Sequence, residues 1–196
     1  MTTESQISSE LTFDALNKQW PTFSQAILDF MKELGLDSLD LECDHAALRV
    51  NTSQGADSLR EAYCRQGKII SDNMINGRPI LIIALDTPLV LGELAIDCIE
   101  LPYPGDKRYP VEGWEHIELV LPGGATTTET LREQLLERAP TLVAVLDQQT
   151  DVKVKMSSPQ GEHERLANPT IAFKRGNLCI KVHPHGIKAV IASEAK

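Results

Sequence analysis

The sequence predicts an α+β protein in which two β-α-β-β-β units pair into one curved, cup-like sheet, with N-terminal helices alongside. Three observations carry this prediction. The first forty residues show helical periodicity and no strand pattern. From Cys43 onward, the order strand, helix, strand, strand, strand runs twice. The two runs also match in residue type: Asp44-His45 opens the first and Glu115-His116 opens the second, 71 positions later. The organisation expected is a helical region over 1–40 and a sheet domain over 41–196, with one unit at about 43–102 and the other at about 113–184.

Composition agrees with a globular chain. The 196 residues are 42% hydrophobic and 24% charged, enough for one large or two small domains with a core that needs no disulfides. A net charge of -9 repels phosphate backbones and argues against nucleic-acid binding. No apolar stretch approaches the roughly 18 residues needed to span a bilayer, so no membrane association is expected. The polar start MTTESQISSE lacks a signal peptide's pattern, and the expected location is the cytoplasm. Cys43, Cys64, Cys98 and Cys179 are far apart with no CxxC and read as reduced core residues.

Each element has its own signal. Phe23, Ala26, Ile27, Phe30, Met31 and Leu34 recur at helical spacing, with Pro21 before them and Gly35 after as a stop. A weaker helix is expected over about 8–18, forming a hairpin with the first. Residues 44–50 read as a strand, 58–67 as a helix stopped by Gly67, and 67–79 as a strand running into an Asn-Gly turn. Residues 79–85 form a buried strand, Asp86-Thr87-Pro88 a turn, and 93–101 another strand. The Pro/Gly-rich stretch 102–113 separates the units. The second unit reads as a strand at 114–122 and a helix at 126–138, with Thr126 and Glu129 spaced as a capping box. Strands follow at 152–156, 168–175 and 177–184. Arg78-Pro79 and Asn168-Pro169 open corresponding strands, and the last strands end in Glu100-Leu-Pro and His183-Pro.

Strand alternation selects the side chains that can converge. His45, Ala47 and Arg49 share a face, as do His116, Glu118 and Val120, while Ile117, Leu119 and Leu121 point to the helices. Leu94, Ile96, Cys98 and Glu100 align, as do Cys179, Lys181 and His183. If the units pair about a pseudo-twofold axis, His45, Glu100, His116 and His183 meet in the cup, unless a bulge resets the alternation. Imidazole and carboxylate suit a divalent ion such as Zn, Mn, Fe or Ni. The bland alternative is a set of hydrogen-bonded structural histidines. Lys181, on the same parity as His183, counts against a cation unless Glu118 or Glu100 pairs with it. Glu118 is the candidate general base and Arg49 the candidate substrate anion clamp; the structural alternative is an ion pair between the two. His163, in GEHERL (161–166), reads as a solvated or substrate-facing loop residue, His185 as a turn residue, and DVKVK as a half-exposed strand rather than a phosphate patch. No GxSxG, GxGxxG, P-loop or HExxH is present.

The stretches MINGRPI (74–80), LPYPGDKRYPVEGWEHIELVLPG (101–123) and SSPQGEHERLANPT (157–170) resemble the YecM family of small bacterial proteins. The resemblance covers residue 40 to the C-terminus well and the N-terminal helices more loosely. It implies a vicinal oxygen chelate fold, similar to glyoxalase I, extradiol dioxygenases and the fosfomycin and bleomycin resistance proteins. That superfamily's ligands lie on the first and last strands of each unit, which here gives His45, His116, Glu100 and His183. His183 departs from the usual glutamate. The expected function is a metal-dependent enzyme of isomerase, epimerase, lyase or dioxygenase type, acting on a small substrate through two neighbouring oxygens. The alternative is a non-catalytic small-molecule binding protein of the same fold. One cup closes within one chain, so either a monomer or a homodimer is expected.

Overall fold

The computed structural model describes residues 11–158 and 166–194. The expected helical hairpin is one helix, α1 (Phe13–Leu34), with Pro21 inside it. Thr12 caps its start by accepting from the Ala15 N–H, and Gly35 ends it in the left-handed conformation with its N–H bonded to the Lys32 carbonyl. An internal proline costs about 3 kcal/mol because it removes one helical hydrogen bond and crowds the preceding turn. Leu16, Trp20, Ile27, Phe30, Met31 and Leu34 are all buried along one stripe, and at about 1.5–3 kcal/mol for each such side chain their burial outweighs that cost. Two indoles lock α1 to the sheet: Trp20 Nε1 donates to the Val90 carbonyl and Trp114 Nε1 to the Leu16 carbonyl, both at 2.9 Å.

The remaining elements run β1 (Glu42–Arg49), α2 (Ser53–Cys64), β2 (Gly67–Ser71), β3 (Met74–Ile75), β4 (Arg78–Leu91) and β5 (Leu94–Pro102), then β6 (Gly113–Val120), α3 (Thr128–Arg138), α4 (Val143–Leu146), β7 (Lys153–Ser157), β8 (Thr170–Arg175), β9 (Leu178–His183) and α5 (Ile187–Glu194). Asn76 and Gly77, both at positive φ, make the tight turn between β3 and β4. Asp86-Thr87-Pro88 is not a turn. It lies within the long strand β4, whose ladder with β5 is interrupted between Ala84 and Leu89 and resumes beyond it. The first residues of α3 are capped by Thr127 accepting from the Thr130 N–H, one residue later than the Thr126–Glu129 spacing suggested. Helices α4 and α5 had no counterpart in the sequence reading.

One sheet contains all the main strands, in the order β2-β4-β5-β1-β6-β9-β8-β7, with β3 paired to β4. Outward from the central antiparallel pair β1–β6, the two halves repeat each other: a parallel neighbour (β5 or β9), then two antiparallel strands. The central ladder is self-consistent under the 71-residue exchange. His45 lies opposite Glu118, and their counterparts His116 and Ala47 lie opposite each other. One face carries two apolar clusters. Trp20, Ile27 and Phe30 of α1, with Leu131 and Leu135 of α3, pack on Ile117, Leu119, Phe173 and Ile180. Ala56, Leu59 and Tyr63 of α2 pack on Leu48, Ile83, Ile99 and Leu101. Apolar alternate residues therefore take the helix-covered face, and the polar alternates are left for the concave one.

Candidate metal centre

Three adjacent strands assemble the site. Ala47 pairs with Glu100 of β5 and with His116 of β6, while His45 pairs with Glu118 of β6. At a strand spacing of about 4.8 Å, side chains on one face of such neighbours touch. Ligand atoms of His45, Glu100 and His116 all lie within 4.8 Å of one another. Glu118 stands two residues after His116, a rise of about 7 Å along a straight strand. Its carboxylate instead turns between the rings: Oε1 lies 3.1 Å from His116 Nε2 and Oε2 lies 3.4 Å from His45 Nε2. His45, His116 and His183 are 1%, 3% and 2% exposed.

Two β-bulges set the aim of the histidines. On β1 the register passes from Cys43 opposite Leu119 to His45 opposite Glu118, so Asp44 is an extra residue. On β6 it passes from His116 opposite Ala47 to Trp114 opposite Leu48, so Glu115 is the extra one. A bulge turns its inserted residue out of strict alternation. Asp44 Oδ2 thereby reaches His45 Nδ1 at 3.2 Å, and Glu115 contacts His116 Nδ1. Each acid–histidine dipeptide occupies its ring's Nδ1 and leaves Nε2 facing the cup, the arrangement by which an outer carboxylate orients a metal-ligating imidazole. His45 Nε2 is buried and has no hydrogen-bond partner among the described residues. A nitrogen–nitrogen–oxygen donor set with one orphaned buried nitrogen fits a divalent cation. This buried His-Glu-His group could hold a metal ion.

The other expected residues fall as follows. His183 stands beside the group: its Nε2 is 3.0 Å from Asp44 Oδ1, its Nδ1 3.1 Å from Glu118 Oε2, and Asn168 Nδ2 also approaches Nδ1 at 3.1 Å. Its expected equivalence to Glu100 is a register error. Glu118 pairs with Lys181 as Ala47 pairs with Glu100, so Lys181 is the counterpart of Glu100. Lys181 Nζ lies 4.0 Å from Glu118 Oε1. Arg49 does line the cavity, but its partner is Glu115 at 2.9 Å rather than Glu118, and its guanidinium stacks 4.0 Å over the Tyr109 ring. His185 follows β9 in a bend, its backbone N–H bonded to Asn168 Oδ1. His163 lies outside the described residues. Asp44, Glu115 and Asn168 were missed as members of the site. The repeated acid–His dipeptide was the available signal for the first two.

Burial and charge set the protonation pattern. Burial favours a neutral His45 ring, but Glu118 and Asp44 outweigh it and raise its pKa well above the ordinary value. His183 is raised in the same way. His116 is pushed down to about 3 by burial, with Lys181 adding to the effect. Glu118 is held well below the usual carboxylate range because His45 and His183 override its desolvation, whereas burial raises Glu100. The centre opens into a cavity of about 400 Å³, large enough for a small molecule.

A repeated-unit α+β sheet with a His-Glu-His group at the floor of its cavity defines a protein with a candidate metal-binding, small-molecule-sized site. The chain belongs to the YecM protein family, whose profile matches residues 12–194. It is 42% identical over 174 residues to Protein YecM of Escherichia coli strain K12, covering 89% of each chain. It is 40% identical over 179 residues to an uncharacterised Haemophilus influenzae protein, covering 89% of this chain and 91% of that one. A solved structure described as structural-genomics Protein EC4020 superposes with a TM-score of 0.75 at 36% identity, covering 92% of each chain. No helix among the described residues is long and apolar enough to cross a membrane.

Proposed function

We propose that the protein is a metal-dependent enzyme of the vicinal oxygen chelate superfamily, acting on a small substrate that presents two neighbouring oxygens. The observation that carries this reading is the paired bulge. Two acid–histidine dipeptides at equivalent positions hold their rings by Nδ1, both Nε2 atoms face the Glu118 carboxylate, and a ligand atom of each ring lies within 4.8 Å of one of Glu100. A divalent ion held by His45, Glu100 and His116 would supply Lewis-acid stabilisation of negative charge developing on the substrate's oxygens. Glu118, ionised and central, accepts or returns a proton at its carboxylate. Asp44 and Glu115 hold the histidine rings in orientation, and Arg49, which lines the cavity, meets a substrate anion. The reaction type within isomerase, epimerase, lyase and dioxygenase chemistry follows from the substrate. Cytoplasmic location and action as a monomer or homodimer belong to the same proposal.

Protein purified without added metal should carry about one divalent ion per chain by elemental analysis, since such an ion contributes its binding energy to the folded state. His45→Ala and His116→Ala should each reduce it sharply. Unchanged metal content in both variants overturns the centre. One observation favours the runner-up, a non-catalytic binding protein: Lys181 occupies the place that a second ligand carboxylate would take under the repeat. A chain that never retains metal, yet binds small molecules in the cup, supports that second reading.

A further inference from the structure

The internal repeat provides a control for the charge of the cavity. By ladder register, Lys155 pairs with Ala172 and Ala172 with Lys181, while in the first half Ser71 pairs with Ile82 and Ile82 with Glu100. Lys174 pairs with Cys179 as Ala84 pairs with Cys98. Three adjacent strands of the second half thus present Lys155, Lys174 and Lys181 where the first half presents Ser71, Ala84 and Glu100. All three lysines line the cavity. Lys181 approaches Glu118, but Lys155 and Lys174 have no carboxylate within ion-pairing distance among the described residues. This wall belongs to a chain with 19 basic and 28 acidic residues, in which lysines gathered on one side of a cavity run against the overall balance. In a concave site, such cations focus a positive potential on whatever occupies it.

We propose that the lysine wall of β7, β8 and β9 binds an anionic group, a carboxylate or a phosphate, at the far end of the substrate. The substrate class is then a small molecule with vicinal oxygens at one end and an anion at the other; this rests on the metal-centre reading above. β7 is three strands from β6, about 14 Å between backbones at a spacing of about 4.8 Å, so the anion lies on the side of the cavity away from the histidines.

The test is calorimetric titration of the manganese-loaded chain with two probes that share a 2-hydroxy acid head: 2-hydroxyglutarate, whose tail is charged, and 2-hydroxypentanoate, whose tail is not. The charged tail should bind at least about tenfold tighter, the equivalent of about 1.4 kcal/mol. Lys155→Met with Lys174→Met, which keeps the aliphatic stems, should reduce that preference to under about threefold while 2-hydroxypentanoate binding stays unchanged. A phosphonate-tailed analogue, 2-hydroxy-4-phosphonobutanoate, identifies the source: tighter binding than 2-hydroxyglutarate assigns a phosphate, weaker binding a carboxylate. Equal affinity for charged and neutral tails in the unaltered chain, or an unchanged preference in the double variant, overturns the proposal, as does absence of binding by every probe. Glutarate titrated into chelator-treated protein separates the two readings. Lysine-dependent glutarate binding by a chain that holds no metal upholds the anion wall and overturns the metal centre. A metal-retaining chain without tail preference does the reverse.

Discussion

Glu118 is the residue on which the charges of the site balance, because its two oxygens face His45, His116, His183 and Lys181 together. Glu118→Gln keeps its shape and removes its charge. If Glu118 moves the proton, the variant keeps its fold and metal and loses turnover; if it only neutralises the cations around it, stability falls by about 3 kcal/mol, as for a buried pair deprived of one partner. Parallel denaturation and turnover measurements separate these outcomes. Asp44 gives a pH signature. Its desolvation would raise its pKa, but His45 and His183 lower it from 3.8 to about 2. A carboxylate depressed on folding stabilises the fold above its unfolded pKa, and that stability is lost as pH falls toward the folded value. In chelator-treated protein, Asp44→Asn should therefore cost about 2 kcal/mol at pH 5 to 6, with the difference closing by about pH 2. His45 and His183, raised on folding, act in the opposite direction: their contribution is full below the unfolded histidine value and declines as pH rises through their folded values. Denaturant titrations from pH 2 to 9 should show the Asp44 difference in full at pH 5 to 6 and its disappearance down the acid limb.

At the scale of elements, the two bulges convert an ordinary alternating strand into a ring-aiming device. In straight strands Asp44 and Glu115 would face the helices, as two buried carboxylates without partners. The dipeptides were visible in the sequence. Their meaning was not, because a bulge is a property of two strands and no single strand encodes its partner's register. The helix α1 shows the same limit from another side. Pro21 is a local stop signal, yet the buried stripe from Leu16 to Leu34 crosses it unbroken. Phe30, fully buried among α1's sheet contacts with the Arg175 guanidinium 4.9 Å from its ring, should cost about 3–5 kcal/mol on replacement by alanine in a denaturant titration. Pro21→Ala should raise stability by up to about 3 kcal/mol in the same titration, since the burial is kept and the missing hydrogen bond restored. Cysteine chemistry follows element burial as well. Cys43, Cys98 and Cys179 are buried, with thiols raised by desolvation, Cys98 to about 11, while Cys64 is exposed at the end of α2. A thiol reagent should label one cysteine in the native chain and all four after unfolding.

The whole molecule places its symmetry axis and its site together, between β1 and β6. Since both halves lie in one chain, metal content per chain should not change with protein concentration over a range in which light scattering shows any dimer dissociating; a concentration-dependent loss would assign part of the centre to an interface. The fold was legible to the level of unit order because strand and helix periods are local, and because the repeat supplied each unit with a second copy for comparison. His45, Glu100 and His116 were legible because alternation on three strands already put them on one face. His183 was misjudged as the counterpart of Glu100, and Lys181 was read as an obstacle rather than as the matching position. By itself the sequence determined which residues are apolar-faced, which are polar-faced, and that the pattern occurs twice, since side-chain alternation depends only on the backbone's own period. Only the tertiary structure decided which polar residues meet. Pairing register, bulge position and the closure of α1 across its proline are set by free energy shared between segments distant in the chain, and none of those segments carries that information alone.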